Sequence, residues 1–264
     1  VSEASGVTVA SLASGLMRGL LGPGGPFVSL AADPDGSLDE LITQAEKDVE
    51  NELSTRLTVT SFAGYMGTDA PAAQAAGAEL EGPYDWPPAN PGDWFPRFKT
   101  RVRPVQALTA FNIILPGGIQ TQIQLPLDWF RMDHLQGELM VSPSLTSAPL
   151  QAAGLMGPLM LGLADRQIPK SVLIGYTAGM SAADWAKYPK VKRLVALRAA
   201  ILILPQLSLL EDPLGLTSQS ADGLSESHSS GFIFKDMEER LQAEADKCKE
   251  ALLDLWDGIQ FMVM

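Results

Sequence analysis

DGLSESHSSG, residues 222–231, runs into FIFKDMEERLQAEADKCKEALLDLW, residues 232–256, and after Asp257 into GIQFMVM, residues 258–264. Within it Met237, Leu241, Ala245, Cys248, Leu252, Leu255 and Ile259 recur at steps of three and four. That spacing predicts a long helix from about Phe234 to Trp256 with one buried face. Cys248 lies on the stripe, so it reads as a small core hydrophobe rather than a reactive thiol. Lys235, Asp236, Glu238, Arg240, Lys247 and Glu250 alternate in sign on the other faces, as on a solvated helix. The Ser/Gly-rich stretch ahead of the helix reads as a hinge loop carrying Asp222, Gly223, Ser225, Ser227 and Gly231. The tail Gly258, Ile259, Gln260, Phe261, Met262, Val263 and Met264 is short and apolar. It reads either as a docking strand or anchor for a partner, or as a segment packed on its own core.

Upstream, Ser37 with Glu40 three residues on has the form of a capping box. Leu38, Leu41, Ile42, Ala45, Val49 and Leu53 then follow at helical spacing, predicting a surface helix that ends near residues 54–57. Pro189 suits the first position of another helix, expected to reach about Leu204. Val191, Leu194, Val195, Ala199, Leu202 and Ile203 give that helix an apolar face. Lys190, Lys192, Arg193 and Arg198 give it a basic one, read as solvated, paired with acids, or turned to a partner's acids or to phosphate. Between these helices the pattern changes. Residues 105–114 (VQALTAFNII), 119–125 (IQTQIQL), 137–141 and 171–177 (SVLIGYT) run apolar or alternate, with Pro/Gly breaks between them, and predict strands. Residues 63–100 show no period. Their Tyr84, Trp86, Trp94, Phe95 and Phe98, set among prolines, suggest an extended, aromatic-anchored loop. Trp86, Trp94 and Phe95 are its candidates for contact with a neighbouring subunit or with a peptide or sugar. Residues 1–36 are small and Pro-broken, and read as an extended arm.

The expected fold class is therefore α+β: a bundle of about three to four helices with an inserted small antiparallel β domain and extended loops or arms. The expected segments are an arm at 1–36, a helical core at 37–100 and 181–257, a β-rich insert at 101–180 and a docking tail at 258–264.

The chain has 264 residues, 46% of them apolar, which is enough to bury a sizeable core. A formal charge of −12 argues against a general nucleic-acid binder, whose phosphate contacts need clustered Lys and Arg. It does not argue against a tube through which DNA slides. The single cysteine excludes an internal disulfide, and two histidines leave little for a His/Cys metal site. No secretory signal is expected from the first thirty residues. The uncharged run at 147–164 is broken by prolines and glycines, so a buried or inter-subunit loop is expected there rather than a membrane span.

No motif for catalysis stands out. GPGG at 22–25 lacks the Lys-Ser/Thr of a phosphate loop. Asp33 and Asp35 lack the spacing and closing Glu of a calcium loop. His134 and His228 have no recognisable nucleophile beside them, and Glu238 and Glu239 sit on an exposed helix face. Neither an enzyme nor a cofactor nor a metal is expected.

Four segments resemble the head–tail adaptor (connector, head-completion) proteins of tailed bacteriophages. SLDELITQAEKDVENELS (37–54) is similar to their opening helix, and RVRPVQAL (101–108) to the start of their β segment. YPKVKRLVALRAAILIL (188–204) is similar to their middle helix. SQSADGLSESHSSGFIFKDMEERLQ (218–242), continuing to the tail, is similar to their serine-rich connector and last helix. The resemblance covers about half the chain. It implies a structural virion protein at the neck, assembled from the host cytoplasm, that forms a homo-oligomeric ring, twelvefold to match the portal. It further implies partners in the portal protein and in tail or neck proteins, with genomic DNA passing through the lumen unread. It places residues 258–264 in the portal. Two other readings stay open: a tail-completion or neck ring of the same particle, and a glycan- or peptide-binding module using the aromatic-Pro loop.

Overall fold

The computed structural model describes residues 4–32, 36–65, 74, 77–87, 96–114, 122–142, 167–211, 217–221, 224–228 and 230–257. The class is α+β, as the sequence predicts. The chain divides into two compact units: a helical unit from Val1–Leu53 with Ala182–Met264, and a β unit, Ser54–Ser181. The β unit is longer than the expected 101–180, because residues 54–100 leave the helical part and supply four of its strands.

In the helical unit, α3 (Ser37–Leu53), α5 (Pro189–Glu211) and α6 (Ser230–Asp257) form the bundle, with α5 packed against both of the others. Two short helices, α1 (Val9–Ser14) and α2 (Arg18–Leu21), precede α3, and α4 (Ala182–Lys187) precedes α5. The stripe on α3 is as predicted, with Leu38, Ile42, Ala45, Val49 and Leu53 all buried. Ser37 is the first helical residue rather than a cap ahead of it. Pro189 opens α5 at N1, as expected. The helix does not end at Leu204 but runs through Pro205 to Glu211. The ring removes one backbone donor there. Burial of Leu204 and Leu207 on either side offsets that loss, and the Ser208 hydroxyl donates to the Pro205 carbonyl at 2.8 Å.

The expected extended arm is instead folded. The Thr8 hydroxyl accepts from the Ser11 N–H and the Ser11 hydroxyl accepts from the Thr8 N–H, a reciprocal cap that starts α1. Val7, Leu12, Met17 and Leu21 are buried, and Phe27 meets Phe234 of α6 with ring centres 6.5 Å apart. The Ser5 N–H donates to the buried Glu46 of α3 at 2.9 Å.

The β unit is built on one long strand. In chain order its strands are β1 (Thr60–Gly64), β2 (Glu79–Glu81), β3 (Tyr84–Trp86), β4 (Arg97–Lys99), β5 (Val105–Ile114), β6 (Gln122–Gln124), β7 (Phe130–Asp133), β8 (Glu138–Val141) and β9 (Ile168–Ala178). β9 pairs antiparallel with β5 along one edge, and with β1 and β3 along the other. β2 joins β1 in parallel and β6 joins β5. A second sheet has the order β4-β8-β7. Apolar residues of both sheets, among them Phe62, Trp86, Phe98, Phe111, Leu139, Ile174 and Tyr176, make one core with Trp129 from the turn before β7. β5 has the predicted bounds because its run of apolar and β-branched residues fits a strand buried at its end and along one face.

The described part of 63–100 carries β2, β3 and β4 where its prolines suggest an extended loop, and residues 66–73, 75–76 and 88–95 lie outside the described residues. The uncharged run at 147–164 lies outside the described residues. No helix among the described residues is long and apolar enough to cross a membrane.

Candidate functional site

Among the described residues, those singled out in the sequence fall on separate elements. Residues 258–264 lie outside the described residues, as do Asp222, Gly223, Trp94 and Phe95. Ser225 and Ser227 fall on a strand rather than in a hinge loop. β10 (Thr217–Ala221) and β11 (Leu224–His228) pair antiparallel in register Ala221↔Leu224 to Thr217↔His228. Gly231 lies inside α6, which begins at Ser230 rather than near Phe234. The signal that reveals this ribbon is the Asp-Gly pair at 222–223, the strongest short-range mark of a hairpin turn. It is easily overlooked because the flanking residues are polar.

Trp86 is no contact candidate. It is 1% exposed, packs edge-on to Phe98 at 5.5 Å, and heads a row of rings continuing through Phe111 to Phe130. The Pro-rich segment turns this ring inward because β3 is anchored on β9. Asp85, beside it, accepts the Lys170 N–H at 2.8 Å, next to the irregular register that this pairing carries.

On the basic face of α5, Arg193 and Arg198 are paired with acids within the helical unit. Arg193 pairs with Glu244 of α6. Arg198 reaches Glu52 of α3 at 2.8 Å and donates to Gln242 of α6 at 2.9 Å, with Asp246 at 3.6 Å. Lys249 also reaches Glu52, at 3.2 Å. This half-buried network ties the three long helices together beside a shallow cleft of about 300 Å³ lined by Asp48, Asn51, Glu52, Arg198, Ile201 and Leu202. Arg198→Met keeps the stem but leaves Glu52 with Lys249 alone. The expected loss is about 1–3 kcal/mol, scaled down from a fully buried pair for partial exposure. A lower urea midpoint for the helical unit would register it, and adding Glu52→Gln should restore part.

Cys248 is half-buried, and burial pushes its thiol above the usual range, with Lys190 and Arg193 opposing and Glu244 adding to the rise. Its Sγ–H donates to the Lys190 carbonyl at 3.4 Å, and the thiol lies at the margin of the stripe rather than in the core expected for it. Within α6, Leu241, Ala245 and Leu252 are buried as expected, but Leu255 is 48% exposed and Trp256 takes its place. His134 sits in the β7–β8 turn, its Nδ1–H donating to the Val105 carbonyl at 2.6 Å.

A second polar cluster among the described residues is one the sequence does not announce. Glu81 on β2 is buried beside Tyr84 of β3, Tyr176 of β9 and Arg101. Arg101 approaches the Glu81 carboxylate at 3.7 Å and lies over the Tyr84 ring at 4.7 Å. The Tyr84 and Tyr176 hydroxyls accept the Arg101 and Val102 backbone N–H groups at 3.1 and 3.4 Å. Burial raises the Glu81 carboxyl above its ordinary value, while Tyr84, Tyr176 and Arg101 act to lower it. Burial likewise raises both phenols, so they stay neutral donors.

A carboxyl raised in the folded state favours the fold when protonated. That contribution is complete below the unfolded value near 4.5 and is lost as pH rises through the folded value. Glu81→Gln should therefore raise the melting temperature of the β unit at neutral pH by about 2–5 °C and flatten its slope on the acid side. Calorimetry of both proteins from pH 4 to pH 7 tests this. An unchanged slope would remove Glu81 as its source.

Among the described residues, no group of three His, Cys, Asp or Glu side chains is placed to hold a metal ion. In the clusters above the Glu81 Oε2 and the Arg198 Nε are buried without a hydrogen-bond partner among the described residues, and neither cluster places a nucleophile against a base. The sequence matches no family model and no curated protein. Among solved structures it is similar to a chain from the neck of a native GTA particle, computed with C12 symmetry, at 16% identity and a TM-score of 0.34 over 82% of this chain and 87% of that one. At that score the likeness transfers neither fold nor function.

Proposed function

We propose that this chain is a structural protein of the neck of a tailed-phage-like particle, a head–tail adaptor that forms a ring between the portal and the tail or neck proteins and continues the DNA channel. The supporting observation is where the four adaptor-like segments fall. They land on α3, on the entry to β5, on α5, and on the β10–β11 ribbon with α6, in that order along the chain. A bundle of helices interrupted by a β unit is the architecture that the sequence resemblance implies. The acidic balance suits a wall along which DNA slides without adhering. The glycan- or peptide-binding reading loses its central anchor, because Trp86 belongs to the core.

The docking role of the tail is tested by deleting residues 258–264. The truncated chain is expected to stay soluble, to keep its melting temperature, and to lose portal binding in a pull-down or by interferometry. Normal portal binding by the truncated chain would overturn the docking role. Electron microscopy of the particle, with the chain labelled, tests the neck position independently.

A further inference from the structure

The β10–β11 ribbon has five residue pairs and, among the described residues, no third strand on either edge. A free two-stranded hairpin is marginal in water. The usual remedy is to bury one apolar face, and this sequence offers none: the strands read TSQSA and LSESH. What the ribbon does offer is backbone. With two residues between Ala221 and Leu224, that closing pair is hydrogen-bonded, and bonded and non-bonded pairs alternate from there. The Ser220↔Ser225 and Ser218↔Ser227 pairs are then the non-bonded ones. Their N–H and C=O groups point away from the ribbon, Ser218 and Ser220 along one edge and Ser225 and Ser227 along the other.

We propose that this ribbon joins copies of the chain, the outer edge of β10 on one copy pairing with the outer edge of β11 on the next. The proposal rests on the ring reading above and names the contact that closes it. Three observations favour a second copy as the occupant. Both edges belong to one chain and have equal length, so each copy carries donor and acceptor for a head-to-tail contact. Copies in the same orientation set β11 against the next β10 antiparallel, so the pairing continues unchanged around the ring. Subunits of charge −12 repel one another, and backbone pairing through strands whose only carboxylate is Glu226 joins them through a segment of low charge.

Proline removes an outward donor without touching the inner ladder, whereas alanine keeps it. The full chain is compared as wild type, Ser218→Pro/Ser227→Pro and Ser218→Ala/Ser227→Ala, by native mass spectrometry and negative-stain microscopy, with circular dichroism to confirm folding. Wild type and the alanine variant are expected to form rings. The proline variant is expected to be a folded monomer, with self-association weakened about 100-fold or more. Hydrogen exchange on wild type adds a readout free of mutation: the amides of these four serines should be protected in rings and exchange freely in monomers. Rings from the proline variant, or unprotected serine amides in wild-type rings, would overturn the edge contact and leave the ring reading standing. A wild-type chain that is monomeric even within the particle would overturn the ring reading itself.

Discussion

Trp86→Ala is expected to destabilise the β unit by about 3–5 kcal/mol, the range for deleting a large aromatic from a close-packed core. The ring is 1% exposed and meets Phe98, which in turn stacks edge-on with Phe111 at 5.1 Å. Removing it opens a void at the head of that row, where β3 holds to β9 by only a short, irregular pairing. A loss of this size is a large fraction of a domain's net stability. The expected readout is therefore a β unit that melts far below wild type, or is digested by protease while the helical unit stays intact. Trp86→Phe is the informative partner. The indole Nε1 is buried without a hydrogen-bond partner among the described residues, so phenylalanine loses volume but also an unsatisfied donor. It should be much milder than alanine. A Trp86→Ala protein that melts like wild type would return Trp86 to the surface and revive the binding reading of the aromatic-Pro segment.

The parts of this fold that can be read from sequence are those with a long, single-valued period. The α3 stripe and the β5 run each repeat one pattern for ten residues or more, and the observed burial follows them. The misses occur where a pattern is short, two-valued or polar. After Leu252, steps of three and four lead to Leu255 and Trp256, and a 3.6-residue turn admits either. Packing selects Trp256, which is 1% exposed. Residues 1–36 look featureless because α1 and α2 are only six and four residues long. The Thr8–Ser11 cap is a local signal easily lost in a Ser/Gly/Ala background. Trp86 sits among prolines and acids that normally mark a loop, and only the pairing of β3 with a strand more than eighty residues away turns it inward. Glu81, Tyr84, Arg101 and Tyr176 are brought together by the same long-range pairing, so no window along the chain contains them. The ribbon is the reverse case: its turn signal is strong, but its strands lack the apolar alternation by which strands are recognised.

Gly179→Ala should be similarly damaging for a reason invisible in composition, since it is one of 24 glycines. Gly179 follows β9 with φ of +125°, a region that L-residues rarely enter. A Cβ there would lie 2.1 Å from the Thr58 carbonyl oxygen and 2.7 Å from its carbon, both backbone atoms that cannot rotate aside. The same residue knots the unit together: its N–H donates to the Pro104 carbonyl at 2.9 Å, and its own carbonyl accepts from the Gln106 side chain at 2.6 Å. Moving it would pull the end of β9 from β1 and β5 together, at the Thr60↔Ala178 and Val105↔Ala178 pairs. Backbone strain of about 1–3 kcal/mol adds to the steric displacement, so a total of at least about 3 kcal/mol is expected. Gly24→Ala supplies the contrast, because its φ is also positive at +85° but nothing lies within 4 Å of the added Cβ. It should show the conformational term alone, about 1 kcal/mol. Thermal melts of the two variants then separate strain from collision. Equal losses would mean that the approach of Thr58 is not what makes Gly179 obligatory.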